Sequence, residues 1–322
     1  MPHPASPIVA PPISVPGLLA NRRLRALVQV AVTGLVLFFL GRAVVREWDA
    51  VRDYSWQVQP LYLLAALGLT VARGPVILAG WWAVLARLGY RLPLRTAVRV
   101  YFQSGLAKYL PGSLWFAVGR VLLAEGAGVP KRITGVSIGL ETALIVVAAL
   151  ATATLGLTAL PSLPLWPYGG VLLVLLGALA WPRSLFRVLN WALRRMGRPV
   201  VDVQLRGRDL LALLPLFLAN WAVYGLISFC WTAAVYPALA PGSLPSVGGL
   251  FAAAWVIGFL ALVVPNGWGV REGAIITGLT GLLGVPLAAA GAAAVLSRLG
   301  TIAGEAIWAA LALRMGDVKR ET

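Results

Sequence analysis

Residues 133–157 read ITGVSIGLETALIVVAALATATLGL, and this stretch decides the fold class. It carries one ionisable residue, Glu141, in an apolar run long enough to cross a bilayer as a single helix. Charged residues make up only 12% of the chain, whereas about a quarter is usual in a soluble domain. The sequence therefore predicts an all-α, polytopic transmembrane helix bundle of about seven to eight spans. The other predicted spans cover residues 26–45, 60–88, 165–181, 210–236, 247–264, 268–284 and 286–315.

Loop charges predict the orientation and the domain limits. The segments 87–99, 183–208 and 314–320 are rich in arginine and lysine, whereas 159–164 and 237–245 carry no charge. By the positive-inside rule, we expect a multi-pass protein of the cell inner (plasma) membrane with both termini in the cytoplasm. This topology requires residues 93–128 to leave and return on the cytoplasmic side, while 268–284 crosses. The predicted parts are a disordered cytoplasmic tail (1–22), a single transmembrane domain (23–315) and a second cytoplasmic tail (316–322).

Composition also argues against several classes of protein. The net charge is +16, but the basic residues lie in short loops beside apolar runs, which favours anionic lipid headgroups over nucleic acid as partners. Cys230 is the only cysteine and His3 the only histidine, so neither a disulfide nor a Cys/His zinc site can form within the chain. No nucleotide-binding loop is present. We therefore expect no catalytic residues, no metal and no cofactor, and we do not expect an enzyme.

One segment interrupts its own helix. Residues 103–120 read QSGLAKYLPGSLWFAVGR, apolar enough for the membrane but broken at Gly105, Pro111 and Gly112. Such a break survives at membrane depth only where protein or a water-filled cavity satisfies the backbone, so we predict a re-entrant or broken helix. The helix that follows Pro111 points its N-terminal N–H groups at the break, and Lys108 lies beside them. These groups predict an anion site.

A second segment, VPNGWGVREG at residues 264–273, repeats these elements. It has an apolar run, a proline followed by small residues, a tryptophan and then an arginine. Gly-Val-Pro follows each segment, at 128–130 and 284–286, and a long helix with an embedded glutamate comes next. We interpret the pair as a weak internal repeat, a feature typical of transporters.

Six ionisable residues lie inside apolar runs, where each costs about 2.5–3.5 kcal/mol at a helix centre. They are Arg73, Glu141, Arg271, Glu272, Arg298 and Glu305. Two helical faces carry them at matching spacing: Thr134, Ser137 and Glu141 on one, and Arg298, Thr301 and Glu305 on the other. Two interpretations stay open, namely structural ion pairs that lock the bundle and two walls of one substrate cavity. We expect Arg73 to snorkel or to pair locally. The glycine pairs 135/139, 269/273 and 300/304 predict helix-packing faces.

The residues Lys108-Tyr109-Leu110-Pro111-Gly112, with Trp115 and Gly119-Arg120, resemble the signature of the lysylphosphatidylglycerol synthase transmembrane region. This family is also called flippase-like, and it includes the membrane part of the multiple peptide resistance factor of bacteria. Residues 265–273 resemble the family's Pro-Gly-Gly-x-Gly-x-Arg-Glu stretch, with Asn266 where glycine is usual. The resemblance covers about residues 25 to 315.

The resemblance implies movement of an anionic or phosphate-bearing lipid, either a modified phospholipid or a polyprenyl-linked sugar, between leaflets. The alternative is a non-transporting accessory subunit that partners a membrane enzyme of lipid modification or glycosyl transfer. The chain stops at Thr322 without the aminoacyl transferase domain of the bifunctional members, so synthase activity is not expected. The expected substrate-binding residues are Lys108, Tyr109, Pro111, Arg120, Glu141, Arg271, Glu272, Arg298 and Glu305.

Overall fold

The computed structural model describes residues 52–107, 115–158, 166–180, 187, 190–191, 194–195, 205–261, 267 and 269–315. Regular structure in these ranges is helical, and they contain no strand. A short 3₁₀ turn at Pro241–Ser243 precedes one helix. The α-helices are α1 (Pro60–Arg87), α2 (Leu94–Leu106), α3 (Trp115–Gly126), α4 (Lys131–Leu157), α5 (Trp166–Ala180), α6 (Gly207–Leu211), α7 (Leu214–Val235), α8 (Leu244–Leu260), α9 (Val270–Leu283) and α10 (Leu287–Arg314).

The predicted all-α membrane bundle is confirmed. Five stretches of the described chain are helical, long and apolar enough to cross a membrane, and they correspond to α1, α4, α6 with α7, the 3₁₀ turn with α8, and α10. Helices α5 and α9 have 15 and 14 residues, so each is shorter than a helix that crosses the hydrocarbon core upright. The predicted span at 26–45 lies outside the described residues, as does most of the basic segment 183–208.

Charged loops gather at one end of the bundle. Helices α1 and α7 run antiparallel, because the N–H of Gln59 donates to the carbonyl of Ala234 at 2.8 Å and Arg87 pairs with Asp209 at 3.0 Å. We call the Arg87 side the basic end, and the side that carries 236–246 the neutral end. The described cations of the basic end are Arg87, Arg91, Arg95, Arg99, Lys131, Arg132, Arg206, Arg208 and Arg314.

Two helical hairpins enter the bundle from opposite ends. Helices α2 and α3 form the first, which starts and finishes at the basic end, where Glu125 pairs with Lys131 at 3.2 Å. Residues 93–128 therefore leave and return on one side, as predicted. Helices α8 and α9 form the second, which starts at the neutral end and returns there. The expectation that residues 268–284 cross is therefore wrong, because α9 has 14 residues and begins beside Tyr224 in the middle of α7. A Cβ built on Gly258 of α8 would lie 3.0 Å from the Cβ of Arg271, at the start of α9.

Both hairpins end in the same Gly-Val-Pro turn. Gly128 and Gly284 have φ of 87° and 64°, a left-handed conformation that glycine adopts without a steric penalty. The buried Val129 donates its N–H to Ala124 at 2.9 Å, and Val285 donates to Leu279 at 3.0 Å. A proline then caps the next long helix in each case. The two turns thus share a left-handed glycine and a capping proline, although the valine N–H reaches back five residues in the first turn and six in the second.

The helix contacts extend this similarity to two inverted halves, α1–α4 and α7–α10. Helix α1 packs on α4 as α7 packs on α10, and α2 packs on α10 as α8 packs on α4. Because α4 runs from the basic to the neutral end and α10 runs the other way, the halves are inverted relative to each other. This arrangement supports the predicted repeat and resembles the inverted repeats of transporters.

Glycines set the closest helix approaches. A Cβ on Gly249 of α8 would lie 2.9 Å from the Cα of Gly156 on α4, and Gly300 of α10 lies against the Trp231 indole. The predicted packing face at 300/304 is therefore confirmed. The prediction for 135/139 is wrong: both glycines are exposed, with nothing within 4 Å of a Cβ built there. In a membrane protein, glycine spacing alone does not distinguish a helix face that meets a neighbour from one that meets lipid.

Candidate functional site

A buried ion pair joins the first hairpin to the long helix that follows it. Arg120 of α3 donates to Glu141 of α4 at 2.5 Å, and each residue is only 4% exposed. The hydroxyl of Tyr101 donates to the other carboxylate oxygen at 2.8 Å, and Arg120 Nε donates to the hydroxyl of Ser104 at 3.3 Å. These bonds satisfy both charges inside the protein, which a buried ion pair requires.

Aromatic rings enclose this pair. The Arg120 guanidinium carbon lies 4.1 Å from the centre of the Tyr101 ring and 5.3 Å from that of Trp81, within cation–π range. The Trp81 indole N–H donates to the hydroxyl of Ser137 at 3.0 Å. The polar face of α4, with Thr134 and Ser137 at 0% exposure, is thus packed against protein. Of the two interpretations left open, this packing favours structural ion pairs on the α4 face, because aromatic side chains of α1 and α2 fill the space beside it.

A second polar group lies between α1, α7 and the start of α9. Arg271 donates a hydrogen bond to the hydroxyl of Tyr224, and Arg73 Nε donates to Asn220 at 2.9 Å. Both guanidinium groups lie over the Tyr224 ring, at 4.8 Å for Arg73 and 5.6 Å for Arg271. Arg271 Nε is buried and has no hydrogen-bond acceptor among the described residues.

Glu272 stabilises the start of α9 and also contacts α10. Its carboxylate accepts the N–H of Gly269 at 2.6 Å, as an acidic group in the first turn of a helix commonly does. The other carboxylate oxygen lies 3.7 Å from Arg298 Nε. This ion pair joins the first turn of α9 to α10, as Arg120 and Glu141 join α3 to α4 in the first half.

Arg73, at the middle of α1, links the two groups. It interacts electrostatically with Tyr101 of the first group, with Tyr224 and Arg271 of the second, and with Glu305 of α10. We call these charges, together with the two ion pairs, the buried cluster. The prediction that Arg73 snorkels or pairs locally is wrong, since its hydrogen-bond partner Asn220 lies on α7. The sequence could not show this, because the contact joins helices far apart in the chain.

Six of the nine predicted site residues therefore belong to one cluster: Arg120, Glu141, Arg271, Glu272, Arg298 and Glu305. Lys108, Tyr109 and Pro111 lie outside the described residues. Sequence reasoning missed the aromatic partners Trp81, Tyr101 and Tyr224. Asn220 was also missed, although an amide within an apolar run is a signal that could have found it.

The described residues contain no group of three His, Cys, Asp or Glu side chains placed to hold a metal ion. What they do bring together is four arginines, three glutamates and several aromatic hydroxyl and indole groups. Arginine guanidinium groups form paired hydrogen bonds to phosphate and carboxylate oxygens. Arg271, whose buried Nε has no acceptor among the described residues, keeps a donor that could bind such an oxygen.

The fold and the cluster define a polytopic membrane protein whose inverted helical halves enclose ionic groups. Residues 26–308 match the family described as the lysylphosphatidylglycerol synthase TM region. The match spans most of the chain, so the protein belongs to this family, as the two motifs predicted. A comparison with curated proteins found no match.

Proposed function

We propose that this protein moves a phosphate-bearing, anionic lipid between the two leaflets of the inner membrane. The lipid would be a modified phospholipid or a polyprenyl-linked sugar. The observation that carries the proposal is the buried Nε of Arg271, which donates to no acceptor among the described residues. A buried donor without a partner costs about 1–3 kcal/mol, more for a charged group, and a phosphate oxygen would remove that cost.

The charge of the cluster supports an anionic ligand. Glu141 is engaged by Arg120 and Glu272 by Arg298, while Glu305 is the carboxylate that interacts with Arg73. Four arginines thus face three glutamates among the described residues of the cluster, which leaves one positive charge in excess. A phosphodiester carries one negative charge and would neutralise it. Neutralisation matters here, because an uncompensated charge at bilayer depth is costly.

We assign each predicted residue a role in this function. Lys108, Arg271 and Arg298 would bind the headgroup phosphate, with Tyr109 and Pro111 shaping the break beside Lys108. Arg120, predicted as a fourth phosphate ligand, already donates to Glu141 and Ser104 and would instead hold the first hairpin against α4. Glu141, Glu272 and Glu305 would hold the arginines in place, or titrate to couple lipid movement to protons. The breaks at 105–112 and 265–269 would act as hinges or gates, since interrupted helices can change direction at little cost.

The inverted halves support alternating access to the cluster. One hairpin reaches it from the basic end and the other from the neutral end, so each leaflet has its own broken helix. In transporters with inverted repeats, exchange of the two halves opens a central site to either side in turn. We further propose that the basic end faces the cytoplasm, in accordance with the positive-inside rule.

The proposal is tested by reconstituting the purified protein in vesicles that contain fluorescent phosphatidylglycerol or a polyprenyl-phosphate sugar. Fluorescent phosphatidylcholine serves as the zwitterionic comparison, and an impermeant quencher reports the exposed leaflet. We expect movement of an anionic lipid and about a tenfold slower rate for Arg271→Gln, because a charged hydrogen bond contributes about 1.5–3 kcal/mol. Lys108→Ala is expected to lower the rate without preventing insertion. Arg314→Gln, at an exposed position of the basic end, is the matched control and should leave the rate unchanged.

Rates equal to those of protein-free vesicles for every anionic lipid would contradict translocation by the chain alone. If the protein then co-purified with a lipid-modifying or glycosyl-transfer enzyme, the accessory-subunit function would replace the proposal. Unchanged transport in both Arg271→Gln and Lys108→Ala would remove these residues from the site while leaving the function.

A further inference from the structure

A groove outside the buried cluster lies between the two helices of the first hairpin. Its volume is about 640 Å³, and it opens at the basic end between α2 and the last turn of α3. Thr96, Arg99 and Gln103 line one wall, and Leu122, Leu123 and Glu125 line the other. None of these residues takes part in the function proposed above, so the groove has no role assigned to it yet.

The polar wall is one face of α2. Thr96, Arg99 and Gln103 are spaced three and then four residues apart, so they stack along a single face of the helix. Tyr101, which binds Glu141, lies about 160° from Arg99 around the same helix at 100° per residue. Helix α2 therefore separates the groove from the buried cluster and presents a different face to each.

The opposite wall carries two leucines that are open to the membrane, and Glu125, which pairs with Lys131 at 3.2 Å. Leu122 and Leu123 line this wall and are 56% and 38% exposed. The groove extends from Pro93 to Gln103, which is about 15 Å along a helix, or half of the hydrocarbon core. Its ligand must therefore combine a polar head with an apolar chain.

The charges around the opening favour a ligand with an anionic headgroup. Arg91 and Arg95 flank the groove residues of α2, and Arg132 follows the lysine that pairs with Glu125. The acidic residues described at this end, Glu125 and Asp209, each pair with one cation at 3.2 and 3.0 Å. The cations outnumber them, so the potential at the opening is positive. Arg99 itself lies about 8 Å from the start of α2, near headgroup depth.

We propose that this groove binds one anionic phospholipid from the leaflet at the basic end. Its phosphate lies against Arg99 and Thr96, and one acyl chain covers Leu122 and Leu123. Gln103 lies deeper, where its amide donates to the Ala312 carbonyl of α10 at 3.3 Å. The groove selects lipids by charge before they reach the buried cluster. The inference rests on the proposed function only in this last step, since binding in the groove does not require translocation.

The test uses the full chain in nanodiscs with a photoreactive phosphatidylglycerol, and a phosphatidylcholine probe with the same acyl chains as the comparison. Crosslinked residues are mapped by peptide mass spectrometry. We expect phosphatidylglycerol to label Leu122 and Leu123 preferentially, and Arg99→Gln to reduce this labelling about tenfold, because a charge-assisted bond to phosphate is lost. Arg314→Gln should change nothing. Leu122→Trp, which fills the groove without altering charge, should also block labelling.

Each alternative gives a distinct result. Equal labelling by both probes, or labelling that persists in Arg99→Gln and Leu122→Trp, would overturn the proposal. Loss of labelling on addition of excess inorganic phosphate would mean that the groove binds a soluble anion rather than a lipid. If the vesicles show no transport but labelling still depends on Arg99, lipid binding in the groove is supported and the translocation proposal is contradicted. If transport occurs while labelling does not change in Arg99→Gln, the translocation proposal is supported and lipid binding in the groove is contradicted.

Discussion

At the scale of single residues, the cluster explains how this bundle tolerates so many charges in apolar helices. Arg120 donates to Glu141 at 2.5 Å, Tyr101 donates to the other carboxylate oxygen, and Ser104 accepts from Arg120 Nε. Removing one partner from such a buried pair leaves an uncompensated charge. Replacing both partners with apolar residues can leave the free energy of unfolding nearly unchanged. The contribution of this pair to stability can therefore be measured separately from its contribution to function.

Glu141→Gln is expected to lower the free energy of unfolding by about 3–5 kcal/mol, because Arg120 then stays buried without its counter-charge. Denaturation in detergent, followed by tryptophan fluorescence, measures the change. Glu125→Gln is the control: its pair with Lys131 is about half exposed on both sides, so the expected loss is at most about 1 kcal/mol. Equal losses in the two variants would show that the buried pair has no special structural weight.

A double variant separates charge from packing. Replacing both residues, as Arg120→Met with Glu141→Met, is expected to recover most of the stability lost in Glu141→Gln. If the double variant moves no lipid although it is stable, the pair serves function rather than folding. A double variant less stable than Glu141→Gln would contradict the charge argument.

At the scale of the helices, close approaches fix the bundle. Helices α4 and α8 meet at Gly156 and Gly249, and α7 and α8 meet at Gly225 and Gly248, where no side chain separates the backbones. Close packing of this kind is the main source of helix association in lipid, because apolar side chains gain little by leaving the acyl chains. The glycines at these crossings therefore matter more than equally spaced glycines elsewhere.

Gly156→Ala is expected to destabilise the fold by about 1–3 kcal/mol, because the added methyl would lie 2.8 Å from the Cα of Gly249 and force α4 and α8 apart. Gly139→Ala, in the same helix, is the matched control. A Cβ at Gly139 meets nothing within 4 Å, so this variant should be neutral or slightly more stable. Thermal unfolding of both variants in the same detergent compares their stabilities. If Gly139→Ala were the less stable variant, the proposed importance of the close contact between α4 and α8 would be contradicted.

At the scale of the whole molecule, the two hairpins and their inverted orientation are the features that bear on transport. The hairpin of α2 and α3 enters the bundle from the basic end, and the hairpin of α8 and α9 enters from the neutral end. If the basic end faces the cytoplasm, the two broken segments are reached from opposite sides of the membrane. Labelling from each side of the membrane can test this topology.

In a Cys230→Ala background, which removes the single buried thiol, Gly242→Cys should react with an impermeant maleimide in intact cells. Arg95→Cys should react only in inside-out vesicles, because it lies at the basic end. Both positions are exposed, so access depends on the side of the membrane rather than on burial. Labelling of Arg95→Cys in intact cells would invert the proposed orientation.

The sequence by itself determined that the chain is a helical membrane protein, where its long spans lie, and that residues 93–128 return on one side. Hydropathy over about 20 residues is a local property, and interruptions by glycine and proline act within a turn or two, so both can be predicted without contacts. The Gly-Val-Pro turns are local in the same sense. The family motifs at 108–120 and 265–273 were likewise visible in the sequence.

Only the tertiary structure decided which polar and charged side chains contact each other. Arg73 binds an amide on α7, and Ser137 accepts the indole N–H of Trp81 on α1. Tyr224 receives two guanidinium groups from different helices. These partners are far apart in sequence, and spacing along one helix gives its polar face but not the helix that covers it. The outcome depends on how helices pack in three dimensions, which no local pattern specifies.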